Sequence, residues 1–227
     1  MVTDPRKGRI DVFFVDICRV LIGFNNFNFY EKLAGISGIP AKEIETLDKE
    51  LFHQLWPRTD TSKMLPYGFY NQLKIELARI TLVNKRAHFL RDFTFSFFKE
   101  ASASMLKLKP KVLDFVRCLR GLGCKIILTS NTYAVLYDAQ RSLFPQVFSN
   151  TDGCILSHEI GYRKPDRAFW LIALDEVRWV LPERIFVVDD LKENIDSAKL
   201  LGMNGAVFTN IENLKKELEK FDFSFKK

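Results

Sequence analysis

The sequence is poor in the residues that build disulfide frameworks, metal clusters and flexible linkers. Its 227 residues include four cysteines and three histidines, and no two cysteines form a CxxC pair. This spacing excludes a zinc ribbon and a dense disulfide scaffold, and it indicates reduced thiols in a cytoplasmic compartment. The 11 glycines and 8 prolines are too few for a collagen-like or linker sequence.

Long hydrophobic runs are also missing. No segment approaches the ~18 apolar residues of a membrane span, and residues 1–9 are charged, so we expect neither a span nor a hydrophobic signal peptide. Lys and Arg number 34 and Asp and Glu 28, which gives a net charge of +6. This modest basic excess favours a small anionic partner. A nucleic-acid-binding arm would need more charge and interleaved aromatics, so no nucleic acid is expected. The sequence indicates no oligomeric state.

The residues that are present describe a folded α/β protein. Hydrophobic residues make up 47% of the chain and charged residues 27%, which suits a packed core. Short apolar runs without polar alternation are typical of strands buried on both faces of a parallel sheet. Such runs occupy residues 12–15, 125–129, 185–188 and 205–209, and amphipathic helical patterns occupy residues 111–122, 167–179, 194–201 and 211–221.

The alternation of strand and helix is interrupted once. Between the first strand and residue 106 the patterns are helical, over residues 41–56, 67–82 and 85–101, and the β signal is weak. We therefore predict a Rossmann-like parallel sheet flanked by helices, formed by residues 1–24 and 106–227. A helical insertion, residues 25–105, follows the first strand.

Polar residues stand directly after three of the buried runs, namely Asp16, Ser130 and the pair Asp189-Asp190. The carboxyl ends of parallel strands meet at one crevice, so these residues are candidates for a common site. Neighbouring carboxylates repel one another, and a hard divalent cation such as magnesium relieves that repulsion and attracts phosphate. Lys164 follows a turn-rich segment and precedes Pro165, which suits the first turn of a helix. Its ammonium would lie beside the carboxylates.

Four motifs in this order resemble the haloacid dehalogenase-like hydrolases, a superfamily made mostly of magnesium-dependent phosphatases. The first is a strand followed by an Asp-led loop, residues 12–21. The second is a strand that ends in Ser130 and is followed by Asn131. The third is the lysine of the GxxKPD pattern, residues 161–166. The fourth is Asp189-Asp190 with Asn194 and the Leu-Gly-Met of residues 201–203.

The resemblance implies a role for each of these residues. Asp16 would be the nucleophile that forms an aspartyl-phosphate, and Asp16, Asp190 and the backbone carbonyl of Cys18 would hold Mg²⁺. The phosphoryl group of a small or aryl phosphate would be bound by Ser130, Asn131, Lys164 and Arg19. Asp189 and Asn194 would support the site from behind. The helical insertion corresponds to the family's cap.

One position departs from the family pattern. The phosphatases usually carry a second Asp two residues after the nucleophile to protonate the leaving group, and here that residue is Cys18. General acid-base help is worth ~10² to 10⁴ in rate, and a thiol of pKa about 8.5 is a poor replacement. Three functions stay open: a phosphatase for esters with good leaving groups, a weak or inactive protein that binds phosphate and Mg²⁺, and a non-phosphatase hydrolase such as a dehalogenase.

Overall fold

Five parallel strands form one sheet in the order β5-β4-β1-β6-β7. The computed structural model describes residues 8–221 and residue 223, so residues 1–7, 222 and 224–227 of the predicted core lie outside it. The strands are β1 (Val12–Asp16), β4 (Lys125–Ser130), β5 (Gly153–Leu156), β6 (Ile185–Asp189) and β7 (Asn204–Val207). The predicted α/β class and parallel sheet are confirmed. β5 was not predicted, and β7 ends before Phe208.

The central strand shows why these runs form a sheet buried on both faces. All five residues of β1 are buried. Phe13 and Val15 belong to the apolar cluster on one face, and Val12 and Phe14 belong to the cluster on the other. Each face therefore needs a layer of helices to cover it.

Helices cover both faces of the sheet. One layer contains α7 (Pro110–Gly121) and α13 (Ile211–Leu218), and the other contains α11 (Arg167–Glu176) and α12 (Lys192–Lys199). Along the chain, α8 (Ala134–Leu143), α9 (Pro145–Phe148) and α10 (Ser157–Ile160) lie between β4 and α11. α11 ends three residues before the predicted boundary at Trp179, which is exposed and contributes nothing to the stripe that faces the sheet.

A second, two-stranded sheet marks the ends of the helical insertion. β2 (Ile22–Phe24) and β3 (Leu106–Leu108) are antiparallel, and Phe24 pairs with Leu106. The sequence did not predict this sheet, because each strand has only three residues and neither is an alternating run long enough to be distinctive.

The chain between these two strands is helical. It contains α1 (Asn26–Ser37), α2 (Ala41–Leu47), a π-helical segment (Asp48–Phe52), α3 (Trp56–Asp60), α4 (Pro66–Ile80), α5 (Val83–Asp92) and α6 (Phe95–Ser104). Two of the predicted helices were too long. The pattern over residues 41–56 divides into α2 and the π-helical segment, and the pattern over residues 85–101 breaks at Phe93-Thr94. α1 was not predicted.

The helical insertion has its own apolar cluster, which is rich in aromatic side chains. Phe29, Phe69, Phe89 and Phe98 are buried there, and Tyr133 at the start of α8 joins the same cluster. The insertion therefore packs mainly against itself and touches the sheet layers near β4. None of the helices within the described ranges is both long and apolar enough to cross a membrane.

Candidate functional site

The polar residues predicted from the strand ends lie at one edge of the sheet. β1 is the central strand, with β4 and β6 as its two neighbours, and it ends at Asp16. Asp16 pairs in register with Thr129, next to Ser130, while β6 ends at Asp189. Parallel register therefore brings three strand ends together, as the sequence predicted.

Lys164 joins two of these strands. Its Nζ lies 2.6 Å from Asp16 Oδ1 and 2.6 Å from Asp189 Oδ2, and it donates a third hydrogen bond to the carbonyl oxygen of Thr129 at 3.0 Å. The Lys164 side chain is 1% exposed. A buried ammonium is stable only when it is paired and its protons are satisfied, and here all three are.

The loop that carries Lys164 is held by Asn131. The Asn131 side chain accepts from the Lys164 backbone N–H at 2.8 Å and donates to the Lys164 carbonyl at 2.8 Å. The expectation that Pro165 lies in the first turn of a helix was wrong. The Lys164-Pro165 peptide is cis and α11 begins only at Arg167. Asn131 thus positions Lys164, and its side chain is already engaged.

Asp189 and Asn194 support the site from behind. Asp189 Oδ1 accepts from the Leu191 backbone N–H at 2.9 Å and from Asn194 Nδ2 at 2.8 Å, while its other oxygen binds Lys164. Asp189 is 1% exposed. Because three donors bind its two carboxylate oxygens, Asp189 holds Lys164 in place and does not face the solvent.

Negative charge dominates the site. Burial, opposed by Lys164 and assisted by the charges of Asp189 and Asp190, raises the pKa of Asp16 to about 7. Burial and the charge of Asp189 also raise the pKa of Asp190. Despite the cost of burial, the two carboxylates beside Lys164 raise its pKa, so the lysine stays protonated. One ammonium faces three carboxylates, which leaves the site short of positive charge.

These donors fit a hard divalent cation. The described residues contain no group of three or more His, Cys, Asp or Glu side chains arranged to hold a metal. The arrangement that the resemblance implies needs only Asp16, Asp190 and a backbone carbonyl. Asn194 Oδ1 is also buried without a partner in the part of the chain that the structure covers. Carboxylate, carbonyl and amide oxygens are the ligands that Mg²⁺ takes.

Ser130 and Arg19 differ in how they are placed. Ser130 Oγ is fully buried and has no hydrogen-bond partner among the described residues, so its hydrogen-bonding capacity is unused within the protein. Arg19 Nη1 lies 3.7 Å from Asp190 Oδ2, and the Arg19 side chain is about half exposed. Arg19 has a φ of 62°, a left-handed conformation that favours glycine.

Cys18 does not have the properties of an acid. Gln140 Nε2 donates a hydrogen bond to its Sγ at 3.1 Å. Burial, together with the charge of Asp16, raises the pKa of the Cys18 thiol far above its usual range. The side chain is therefore an uncharged thiol at neutral pH, neither a proton donor matched to a leaving alkoxide nor a thiolate ligand.

A cavity of about 320 Å³ opens over this edge of the sheet. Asp16, Lys164 and Asp190 belong to its lining, and the helical insertion contributes residues from α1 and α3. The sequence did not predict the contributions of Phe29, Tyr30, Asp48, Trp56, Asp60, Tyr133 and Arg163. Of these seven residues, only Arg163 lies inside one of the four motifs, the GxxKPD pattern. The sequence of residues 57–60, which includes Asp60, predicts a turn.

A parallel sheet with carboxylates and a lysine gathered at the carboxyl ends of its central strands is an α/β architecture with a charged crevice at that edge. The chain belongs to the haloacid dehalogenase-like hydrolases, whose family model matches residues 30–202. The matched region includes Ser130, Lys164 and Asp189-Asp190. Asp16 precedes it, and its assignment depends on the geometry described above.

Solved structures of this family share the fold. A family enzyme of Bacteroides thetaiotaomicron in complex with magnesium and inorganic phosphate is 20% identical, with a TM-score of 0.71 over 90% of this chain and 98% of that one. A predicted hydrolase of Porphyromonas gingivalis is 20% identical, with a TM-score of 0.71 over 92% and 98% of the two chains. An L-2-haloacid dehalogenase is 14% identical, with a TM-score of 0.61 over 87% and 84%.

Proposed function

We propose that this protein is a magnesium-dependent phosphoester hydrolase that works through an aspartyl-phosphate on Asp16. The observation that carries the proposal is the buried Lys164 ammonium, which holds Asp16 and Asp189 at 2.6 Å each with Asp190 beside them. An enzyme that forms a covalent intermediate needs its nucleophile held in one orientation. Lys164 fixes one oxygen of Asp16, which leaves the other to attack phosphorus.

The binding of the phosphoryl group follows from the charges at the site. Mg²⁺, held by Asp16, Asp190 and the backbone carbonyl of Cys18, would supply the positive charge that a phosphate dianion needs beside these carboxylates. Ser130 Oγ, which is buried and unpartnered within the described chain, would donate to a phosphoryl oxygen. Lys164 would stabilise negative charge that develops during transfer, and Arg19 would attract the substrate at the cavity mouth.

The leaving group would occupy the side of the cavity formed by the helical insertion. We propose that residues 25–105 form a cap over a core of residues 1–24 and 106–227. The cap has its own apolar cluster, and both of its ends lie in the small β2-β3 sheet. Phe29 and Trp56 line the cavity from this side, which favours a flat apolar group such as an aryl ester. The complex of the Bacteroides enzyme with magnesium and inorganic phosphate supports the same chemistry.

The decisive experiment is the hydrolysis of 4-nitrophenyl phosphate with and without Mg²⁺. We expect turnover in the native protein that requires the metal and falls by roughly 10⁴-fold or more in Asp16→Asn, the scale of loss when a covalent nucleophile is removed. Asp175→Asn is the matched control, because Asp175 is 77% exposed on α11 and should leave turnover unchanged.

Two results would contradict the proposal. Native protein that binds Mg²⁺ and phosphate but shows no turnover would be a binding protein. Release of chloride from a 2-haloacid, dependent on Asp16 and independent of Mg²⁺, would show a dehalogenase. Capture of ³²P on the native chain and not on Asp16→Asn would support the covalent route directly.

A further inference from the structure

The site lacks a proton donor at the position where the family's phosphatases place one. The Cys18 Sγ accepts a hydrogen bond from Gln140, and a thiol, with an ordinary pKa of about 8.5, is a much weaker acid than the carboxyl group that it replaces. An alkoxide leaving group is strongly basic and departs slowly unless it is protonated as the P–O bond breaks. Another group must therefore supply that proton, or the enzyme is restricted to good leaving groups.

The helical insertion brings two carboxylates into the same cavity, and their surroundings differ. Asp48 is fully engaged, because it accepts from Tyr30 OH at 2.7 Å and from Trp56 Nε1 at 2.9 Å. Asp60, at the end of α3, accepts no hydrogen bond from any residue that the structure describes. Its charged neighbour is Arg163 Nη2 at 3.7 Å. Asp60 is thus a buried carboxylate in the substrate cavity with free hydrogen-bonding capacity.

Asp60 is also close to the missing donor. Cys18 and Tyr133 both line the cavity with Asp60. Burial and the charge of Asp16 raise the pKa of Cys18, and the charge of Asp60 raises it further. Burial also raises the pKa of Tyr133, and the charge of Asp60 again adds to this shift. The titratable groups that interact with the Asp60 charge are therefore the Arg163 guanidinium, the Cys18 thiol and the Tyr133 hydroxyl, and only the first carries a charge at neutral pH.

The surroundings of Asp60 suit proton transfer. Burial raises its pKa to about 6, although the Arg163 charge opposes the shift. A carboxyl with a pKa near the working pH can both give and take a proton at useful rates. Most buried carboxylates that serve only structure are satisfied by donors, and even the half-buried Asp48 accepts two hydrogen bonds.

We propose that Asp60, on the helical insertion, is the general acid and base of this enzyme, in place of the carboxyl that Cys18 lacks. This inference depends on the proposed phosphoester hydrolase activity. As Asp16 forms its bond to phosphorus, the P–O bond to the leaving group breaks, its electron pair goes to the ester oxygen, and the Asp60 carboxyl protonates that oxygen. The Asp60 carboxylate then takes a proton from the water that attacks phosphorus, which releases phosphate and regenerates both side chains.

The test compares leaving groups. kcat/KM is measured for 4-nitrophenyl phosphate, phenyl phosphate and an alkyl phosphate in the native protein, Asp60→Asn and Asp48→Asn. We expect Asp60→Asn to lose ~10² to 10⁴-fold on the alkyl ester and less than about tenfold on the nitrophenyl ester, because general acid help matters only for basic leaving groups. Asp48→Asn, the control in the same cavity, should change all three esters by a similar factor.

Two further measurements exclude a merely structural role. Alkyl ester hydrolysis by the native protein should fall tenfold per pH unit above about pH 6, the pKa of Asp60, and this limb should be absent in Asp60→Asn. The double variant Cys18→Asp with Asp60→Asn should regain alkyl ester hydrolysis, since it returns a carboxyl to the position two residues after Asp16.

The outcomes separate this inference from the proposed function. Retained nitrophenyl ester turnover in Asp60→Asn, with the same dependence on the leaving group as in the native protein, would overturn the role of Asp60 alone. An absence of nitrophenyl ester turnover in the native protein would overturn the proposed function and the role of Asp60 with it.

Discussion

Lys164 is a charged side chain that the fold buries completely. Its three hydrogen bonds reach Asp16 on β1, Thr129 on β4 and Asp189 on β6, so one ammonium ties together the carboxyl ends of three neighbouring strands. A buried ion pair gains little relative to an apolar core, but removal of one partner leaves an uncompensated buried charge. Lys164 therefore has a structural role beside its proposed catalytic one.

We predict that Lys164→Met destabilises the protein by about 3 to 5 kcal/mol at neutral pH, the usual cost of breaking a buried pair from one side. Urea unfolding measures this. The loss should shrink as the pH falls below about 7, the pKa of Asp16, because the protonated Asp16 carboxyl no longer needs a cation. Lys192→Met is the control, since Lys192 is 78% exposed and its pair with Asp196 is worth at most ~1 kcal/mol. Equal effects of the two substitutions would contradict this account.

The residues of the site divide by how far they can be predicted from sequence. Asp16, Ser130 and Asp189 follow buried runs, so the parallel-strand rule brings them together without a structure. Asp60 follows no such run. It reaches the cavity because α3 packs over the sheet edge, which depends on contacts between residues far apart in the chain, and nothing in its local sequence carries that information.

Among the elements, the break between α5 and α6 shows where local patterns mislead. Phe93, Phe97 and Phe98 continue the apolar spacing, so residues 85–101 read as one helix. Thr94 instead has extended backbone angles, and its hydroxyl accepts from the Phe97 backbone N–H at 3.1 Å, which caps α6. Phe93 is buried against Tyr70 and Phe89. Packing of Phe93 in the aromatic cluster thus stabilises a break between the two helices that the spacing alone does not indicate.

We predict that Thr94→Ala lowers the free energy of unfolding by about 1 kcal/mol, because the first turn of α6 loses its cap. Thr94→Ser keeps the hydroxyl and should lower the free energy of unfolding by only a few tenths of the Thr94→Ala effect. Thr46→Ala is a second control, since the Thr46 hydroxyl bonds only to the Lys42 carbonyl inside α2 and caps nothing. Urea unfolding followed by circular dichroism at 222 nm compares the three. A Thr94→Ala stability equal to that of the native protein would show that the aromatic cluster alone sets the break.

The π-helical segment has a related explanation. Residues 41–56 have the spacing of one long helix, but Asp48 is bound by Tyr30 from α1 and by Trp56 from α3. These two donors come from elements on either side of the segment, and they tie Asp48, which keeps helical backbone angles, to α1 and α3. Tertiary contacts of this kind override local preference.

For the molecule as a whole, the order of strands decides where the chemistry can occur. β1 lies at the centre of the sheet and carries Asp16, and the helical insertion begins after β2, the next strand along the chain. The core layers could be predicted because their apolar runs and helical stripes repeat. The packing of the insertion could not, because its aromatic side chains are compatible with several arrangements of helices.

We predict that Mg²⁺ and phosphate together stabilise the folded protein. A ligand at about 100 times its Kd adds ~2.7 kcal/mol of stability. At ~2 to 4 °C per kcal/mol for a chain of this size, Tm should rise by roughly 5 to 10 °C. Differential scanning calorimetry should show this rise in the native protein and in the exposed-site control Asp175→Asn.

The rise should be lost in Asp190→Asn, whose carboxylate is a proposed ligand. Phosphate without Mg²⁺ should raise Tm much less, because Lys164 is already committed to Asp16 and Asp189. A full rise in Asp190→Asn would place the cation elsewhere.

Because Phe24 pairs with Leu106, the helical insertion begins and ends at the same point. A gene segment for another set of helices could therefore replace residues 25–105 without rethreading the central sheet. Selection could then exchange the specificity of such an enzyme as a unit while the reacting groups of the sheet edge stay in place. Such an exchange would also remove Asp60, the proposed proton donor. Substrate specificity and proton transfer could therefore not have evolved independently in this protein.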